Sequence, residues 1–369
     1  MTAVVPSPSD YRTLSQLRLA DLEAIRLVLR GGSVIDWHRL NFELPEEAEE
    51  FIRVHELRMD NEADVQRTEA VKREAVDYLR RNLDFPVPRP VAELPLVDLL
   101  MLAAGRGHRQ VCACAILKVM HIIHHLEGRE LLFMLPVSDR EVFYLVEEKV
   151  YRVIGDMLAH GFPIVEFLGG RKNKDSLYTK LLSKHETVAA NVYDKLRFRI
   201  VTRTRDDIFP ILNYILKRIS PFNYVVPGQS TNTLVQFRRY CEGHAHLAKL
   251  FKNTQLAPDI EEAAVTQLDN RFSDPAYATI HFVVDMPIRL PDAVLEAAPP
   301  PARGLGAVAF VQTEFQIVDE PTDQQNEVSS ASHAAYKERQ KRAVARRLKV
   351  GNEDQQRTPE PNDDNDDGD

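Results

Sequence analysis

Lys172, Ser176 and Lys180 stand four residues apart. On a helix they project from one face, and Lys184 extends the row. Ammonium groups around a hydroxyl make a phosphate-binding surface; the same spacing also makes a solvated basic face, and the segment alone does not choose. Asp194 opens the segment Leu196 to Thr202, where apolar residues alternate with Arg197 and Arg199, and Arg203 follows in the same period. A period of two aims these guanidiniums to one side of a strand, where they suit a polyanion. Asp194 at its start reads either as a ligand for a hard cation or as a turn residue. Tyr277, Thr279 and His281 alternate against Ile280, Phe282 and Val284, and Gln312, Glu314 and Gln316 alternate against Val311, Phe315 and Ile317. Two strands thus each pair an apolar face with a polar one. A polar face is ordinarily just wet, yet these two offer a ring, an imidazole, a carboxylate and two amides.

In their order along the chain these segments resemble the RelA/SpoT-type alarmone synthetase domain, which carries R-x-K-x-x-x-S-x-x-x-K, D-x-x-G-x-R, G-Y-x-S-x-H, E-x-Q-I-R and a late His…Tyr-Lys. Here the order is Lys172-x-x-x-Ser176-x-x-x-Lys180, then Asp194-x-x-x-x-Arg199, then Tyr277-x-Thr279-x-His281, then Glu314-Phe315-Gln316-Ile317, then His333 with Tyr336-Lys337. The resemblance covers about residues 164–337. It implies a nucleotidyltransferase-like mixed β-sheet flanked by helices, and transfer of pyrophosphate from ATP to the 3′-hydroxyl of a guanine nucleotide. It also implies roles: Lys172, Ser176, Lys180 and Arg199 at the ATP phosphates, Asp194 and Glu314 as catalytic carboxylates holding Mg²⁺, and Tyr277, His281 and Gln316 at the acceptor. Such chemistry is mostly positioning and charge neutralisation, which suits these residue types.

The sequence departs from the family at definite points. Gly170 stands where the family has its leading Arg, with Arg171 next to it. Arg197 stands where the family has Gly, Pro275-Ala276 precede Tyr277, and Val318 replaces the Arg after E-x-Q-I. An insertion falls at about 222–268. The carboxylates, lysines and tyrosine persist while the acceptor side is altered. Two alternatives therefore stand beside the guanine-nucleotide reading: the same fold acting on another acceptor (a tRNA 3′ end or an adenine nucleotide), and a catalytically silent nucleotide-binding protein.

The elements that must position these residues follow from periodicity. Leu17 to Leu29 and Glu62 to Leu83 repeat apolar residues at helical spacing. Pro86, Pro88, Pro90 and Pro95 interrupt the chain, and a further helical stretch runs from about Val97 to Leu126. Ser138 and Glu141 form a capping box before a long apolar stripe, Val142 to Leu158, that stops at Gly161. Strands are expected at Leu196 to Thr202, Ile280 to Asp285 and Val308 to Val318, with a helix from Asp206 to Ile219 and a loop from Pro291 to Pro301. The fold class is therefore α+β, a helical N-terminal half followed by the sheet. The organisation expected is a helical region over 1–137 without an assigned role, a nucleotidyltransferase-like domain over 138–350, and a disordered acidic tail over 351–369.

Composition excludes several classes. At 44% apolar residues the chain can bury a core. The sequence contains no apolar run of membrane-spanning length, and MTAVVPSPSDYR is not a secretory leader. Three cysteines argue for a reducing compartment, so a cytoplasmic location is expected. The net charge of −8 sits almost wholly in the tail from Gly351, which holds eight acids and one base, so the rest is near neutral. Residues 337–349, KERQKRAVARRLK, form a basic helix that either contacts RNA or pairs with the acidic tail. His121 and His125 have the spacing of a metal pair but read better as partly buried histidines, with Cys112 and Cys114 as core residues on the same helix. No His-Asp dipeptide occurs, so no alarmone hydrolase activity is expected. A homo-oligomer is compatible with the sequence.

Overall fold

The computed structural model describes residues 11–31, 42–183, 195–253, 277–328 and 333–355. Seven helices come first: α1 (Leu19–Arg30), α2 (Pro45–Val54), α3 (Glu62–Leu83), α4 (Arg89–Ala92), α5 (Leu96–Ala104), α6 (His108–Met134) and α7 (Asp139–Ala159). Then follow β1 (Ile164–Arg171), α8 (Lys174–Ser183), β2 (Leu196–Thr202), α9 (Ile208–Arg218), β3 (Thr231–Asn232), α10 (Phe237–Glu242), α11 (Ala245–Asn253), β4 (Ile280–Arg289), α12 (Asp292–Glu296), β5 (Val308–Asp319), α13 (Glu320–Val328) and α14 (His333–Gln355). The fold is α+β, as the periodicity implies.

Local chemistry explains the helix limits. Asn61 caps α3, its side chain accepting from the Asp64 amide at 3.1 Å. Ser138 and Glu141 form the capping box of α7, with the Ser138 amide donating to Glu141 at 2.8 Å. The stretch expected as one helix from Val97 to Leu126 is two, α5 and α6. Gly105 and Gly107 divide them, and Gly107 has a φ of 103° that an L side chain resists. Residues 351–355, expected in the tail, continue α14, while the tail beyond Gln355 lies outside the described residues. The loop expected over Pro291 to Pro301 contains the short helix α12.

The five strands form one mixed sheet in the order β1-β2-β5-β4-β3. Only β2 and β5 run parallel; the other neighbours are antiparallel. The short strand β3 lies in the segment that reads as an insertion, and it extends the sheet beside β4. β1 was not expected from periodicity, because Gly169 and Gly170 blur its alternation. On one face a ladder of rings crosses four strands: Phe167, Phe198, Phe315 and Phe282 have successive centroid separations of 5.9, 5.6 and 5.5 Å. Apolar residues of α1, α7 and α9 close this face into the main core.

The hydrophobic contacts do not break at residue 137. Leu22, Ile25 and Val28 of α1 and Leu131 of α6 belong to the sheet's core, whereas α2, α3, α5 and the first half of α6 form a second cluster. α6 is long and apolar enough to cross a membrane by length and composition alone. Here its inner side is buried against neighbouring helices and the sheet, with Cys112, Ile116 and Leu131 fully covered, so it is a core helix. Gly128 permits its approach: a Cβ there would meet the Phe310 ring at 2.5 Å and the Val308 carbonyl oxygen at 2.8 Å.

Candidate functional site

The second face of the sheet carries the residues of interest. In register, Arg197 on β2 stands beside Glu314 on β5, and Arg199 beside Gln316. On the other side of β5, His281 on β4 stands beside Gln316 and Val283 beside Glu314. Cross-strand partners share a face, so two guanidiniums, a carboxylate, an amide and an imidazole occupy one patch. The alternation expected from the sequence produces this, except that Arg203 lies beyond the end of β2 and Thr279 lies before β4. Thr279 is buried, and its hydroxyl donates to the Ile317 carbonyl at 3.3 Å.

Glu314 is the centre of the patch. Its side chain is only 4% exposed, and a buried carboxylate needs hydrogen-bond donors. Gln316 Nε2 donates to Glu314 Oε1 at 2.7 Å, and His281 Nε2 lies 3.3 Å from the same oxygen. Arg199 pairs with Asp323, which α13 brings back over the end of the sheet. Tyr277, just before β4, is anchored by its carbonyl, which accepts from the Thr233 hydroxyl at 3.0 Å. Burial raises the pKa of its phenol; Arg199 and Arg197 oppose the rise, and Asp323 and Glu314 add to it. The phenol therefore stays neutral and lies within the field of all four charged groups.

The cationic side differs from expectation in one respect. Lys172 is not on the helix that carries Ser176 and Lys180. It extends β1, its amide donating to the Lys195 carbonyl at 2.9 Å. Asn173 then starts α8, its side chain accepting from the Asp175 amide at 2.7 Å. A capping residue between them separates Lys172 from the helical row. Ser176 and Lys180 do share a face of α8, and α14 packs against that helix, with Arg347 donating to the Leu182 carbonyl at 2.7 Å. Tyr336 and Lys337 sit near the start of α14. Asp194 and Lys184 lie outside the described residues; Lys195, next to Asp194, leads into β2.

Two departures from the family pattern meet in space. Gly170 and Arg197 are cross-strand partners in the β1–β2 ladder. Arg171, the neighbour of Gly170, does not stand in for it: its guanidinium pairs with Glu147 of α7 at 2.9 and 2.7 Å. Val318, the third departure, is buried.

Sequence reasoning missed Asp323 and Asp285. Asp323 lies in a polar helical segment whose composition gives no sign that it meets Arg199. Asp285 shares the face of Glu314 and receives His125 at 2.9 Å and Arg129 at 3.4 Å from α6. The alternation of β4 places Asp285 on that face, but nothing local announces the partners. His121, the other half of the suspected metal pair, stacks on Tyr224 with centroids 4.6 Å apart and accepts from Asn223 at 3.2 Å.

As to a metal, Glu314 presents a hard carboxylate oxygen on the same sheet face as the Arg197 and Arg199 guanidiniums. Mg²⁺ commonly takes one or two carboxylates and completes its shell with substrate phosphates and water. Among the described residues no three His, Cys, Asp or Glu side chains cluster as a ready-made cage, which accords with an ion that draws most of its shell from substrate and water.

No protein-family model and no curated protein matches the sequence. Among solved structures, small alarmone synthetase 1 from Bacillus subtilis bound to its product pppGpp is 14% identical, with 64% of this chain and 93% of that chain covered and a TM-score of 0.28. Small alarmone synthetase 2 from Bacillus subtilis is 16% identical, with coverages of 62% and 97% and a TM-score of 0.28. A GTP pyrophosphokinase family protein from Streptococcus pneumoniae is 12% identical, with coverages of 58% and 87% and the same TM-score. At such scores nothing transfers from those proteins to this chain.

Proposed function

We propose that the protein transfers the β,γ-pyrophosphate of ATP to the 3′-hydroxyl of a guanine nucleotide. The observation that carries this reading is the convergence of segments far apart in sequence on one sheet face. Arg197, Arg199, Glu314, Gln316 and His281 stand side by side there, with Tyr277 in their field. In the reaction the 3′-oxygen attacks the β-phosphorus, the bond from that phosphorus to the α,β-bridging oxygen breaks, and AMP leaves. Glu314 takes the proton of the attacking hydroxyl, a general-base role that its burial beside Gln316 and His281 prepares. Lys172, Ser176, Lys180 and Arg199 hold the donor's phosphates, Arg199 exchanging Asp323 for phosphate. Tyr277 offers a face for the acceptor base, and His281 and Gln316 orient the sugar. Mg²⁺, held by Asp194 and Glu314, would neutralise charge developing on the transferred group.

A second reading keeps the donor and changes the acceptor to a tRNA 3′ end or an adenine nucleotide. It is favoured by Val318, an apolar residue where the resemblance expects an arginine, and by the basic helix α14 lying against α8. One experiment separates the two. Purified protein is incubated with γ-labelled ATP, Mg²⁺ and, separately, GDP, GTP, GMP, ADP, ATP and bulk tRNA, and products are resolved by chromatography. Label in a guanine nucleotide that disappears in Asp194→Ala and Glu314→Ala supports the first reading. Label only in tRNA or an adenine nucleotide replaces it with the second, and no label with any acceptor removes both.

A further inference from the structure

We propose that Arg197 is a phosphate-binding residue for the donor nucleotide, reaching across the strand pair into the space that Gly170 leaves open. This rests on the reading of the site as one that takes ATP, and it adds a residue that the motif resemblance leaves without a role.

Gly170 faces Arg197 across the ladder, and a Cβ built on Gly170 would meet nothing within 4 Å. The place opposite Arg197 on β1 therefore holds no side chain and is open space. Other arginines around the sheet are matched to carboxylates: Arg199 to Asp323, Arg171 to Glu147 and Arg205 to Asp319. Arg197 is half-buried, and its side chain makes no ion pair or hydrogen bond with another described residue. Its register neighbour Glu314 makes no ion pair with it, so the donors of this partly buried guanidinium are available to an anion. Its planar fork of donors suits phosphate oxygens.

Position selects the donor side. Lys172 continues β1 one pleat beyond Gly170, so it shares the face of Arg197. Diagonal neighbours across such a ladder are about 7 Å apart at their backbones, within reach of one polyphosphate for two long cationic side chains. Arg197 also stands beside Glu314, so an anion held there lies against the carboxylate assigned to the attack.

The test measures binding without turnover. The full chain is titrated by calorimetry with inorganic tripolyphosphate, a non-hydrolysable ATP analogue and, separately, GDP. The proteins compared are wild type, Arg197→Gln, and Gly170→Arg combined with Arg197→Gln. Gly170 has no positive φ and open space around it, so an arginine there fits the fold. Circular dichroism and thermal unfolding confirm that each variant is folded.

Losing one charge-assisted contact predicts about tenfold or weaker binding of tripolyphosphate and the ATP analogue by Arg197→Gln. GDP binding is expected to stay within about twofold, and the double variant to recover most of the loss by returning a guanidinium from the opposite strand. Wild-type affinity in Arg197→Gln overturns the proposal, as does a loss confined to GDP or a wild type that does not bind tripolyphosphate. Failure of the transfer reading is distinguishable: protein that binds tripolyphosphate through Arg197 but labels no acceptor keeps this inference and removes that reaction.

Discussion

The two ends of one sheet face carry similar residues and meet opposite fates. Toward one end of β5, Glu314 and Gln316 stand among arginines, an imidazole and Tyr277. Toward the other, Phe310 stands beside a strand carrying Asp285 and Arg289 on the same side. There the helical region closes over the sheet: Gly128 of α6 lies against Phe310, His125 and Arg129 meet Asp285, and Arg289 pairs with Asp64 of α3 at 2.6 Å. Buried charge is tolerated at both ends, but by different means. At the covered end the partners are permanent parts of the fold. At the other, Arg199 is held by Asp323 of α13, and the Arg197 side chain forms no ion pair with a described carboxylate. The same period-two pattern thus builds a helix–sheet interface at one end and a patch of charged and polar side chains at the other; what decides is whether a helix lies on top.

The sharpest break of this contrast is Glu314→Gln against Asp285→Asn, two removals of a buried carboxylate from one face. Glu314→Gln is expected to lower transfer by about a thousandfold in the labelled-ATP assay, the scale of a lost general base and its electrostatics. Asp285→Asn is expected to leave turnover within a few-fold and to cost about 2 kcal/mol in denaturant unfolding, because His125 and Arg129 lose their partner. Equal losses of activity in the two would erase the distinction between the ends.

Gly128→Ala probes the close approach. The added methyl must displace the Phe310 ring and the β5 backbone, an overpacking cost of about 1–3 kcal/mol, partly offset by about 1 kcal/mol of helix propensity. Chemical denaturation should show a net loss with the site's nucleotide affinity retained.

Acid should find the covered end first. Burial away from water holds His55 down at about 4 and His121 at about 3, and neighbouring imidazoles push His121 further in the same direction. Their unfolded value is 6.5, so the unfolded chain binds the protons first. Stability is therefore fully present above that value and lost as pH falls toward 4, at up to about 1.4 kcal/mol per pH unit for each histidine. Thermal midpoints measured from pH 7 to pH 5 should drop, and His121→Gln should flatten the slope. The smallest effect belongs to Asp323→Asn, which frees Arg199 and should tighten binding of the ATP analogue by about two- to fivefold.

Much of this was legible beforehand for physical reasons that can be named. α3 and α7 follow from long apolar stripes with local caps, since Asn61 and Ser138 act within three residues of themselves. β2, β4 and β5 follow from clean alternation, and with them the shared face of Arg199, Glu314, Gln316 and His281. β1 was hidden by two glycines, and α2 was not anticipated in its short acidic segment. Lys172 was misplaced because i, i+4 spacing is satisfied equally by a helix and by a strand residue that happens to precede one; only the hydrogen bond to Lys195 tells them apart.

Residue order alone sets which residues are polar on each strand, where the long helices begin, and the succession of the chemical groups. Those are consequences of periodicity and of contacts between near neighbours. The folded packing is what sets Gly170 opposite Arg197, closes Asp323 on Arg199, and lays α6 over one end of the face carrying Glu314. Each of these joins residues that no local energy term links, so it depends on strand register and helix docking, which the packing of the whole chain sets.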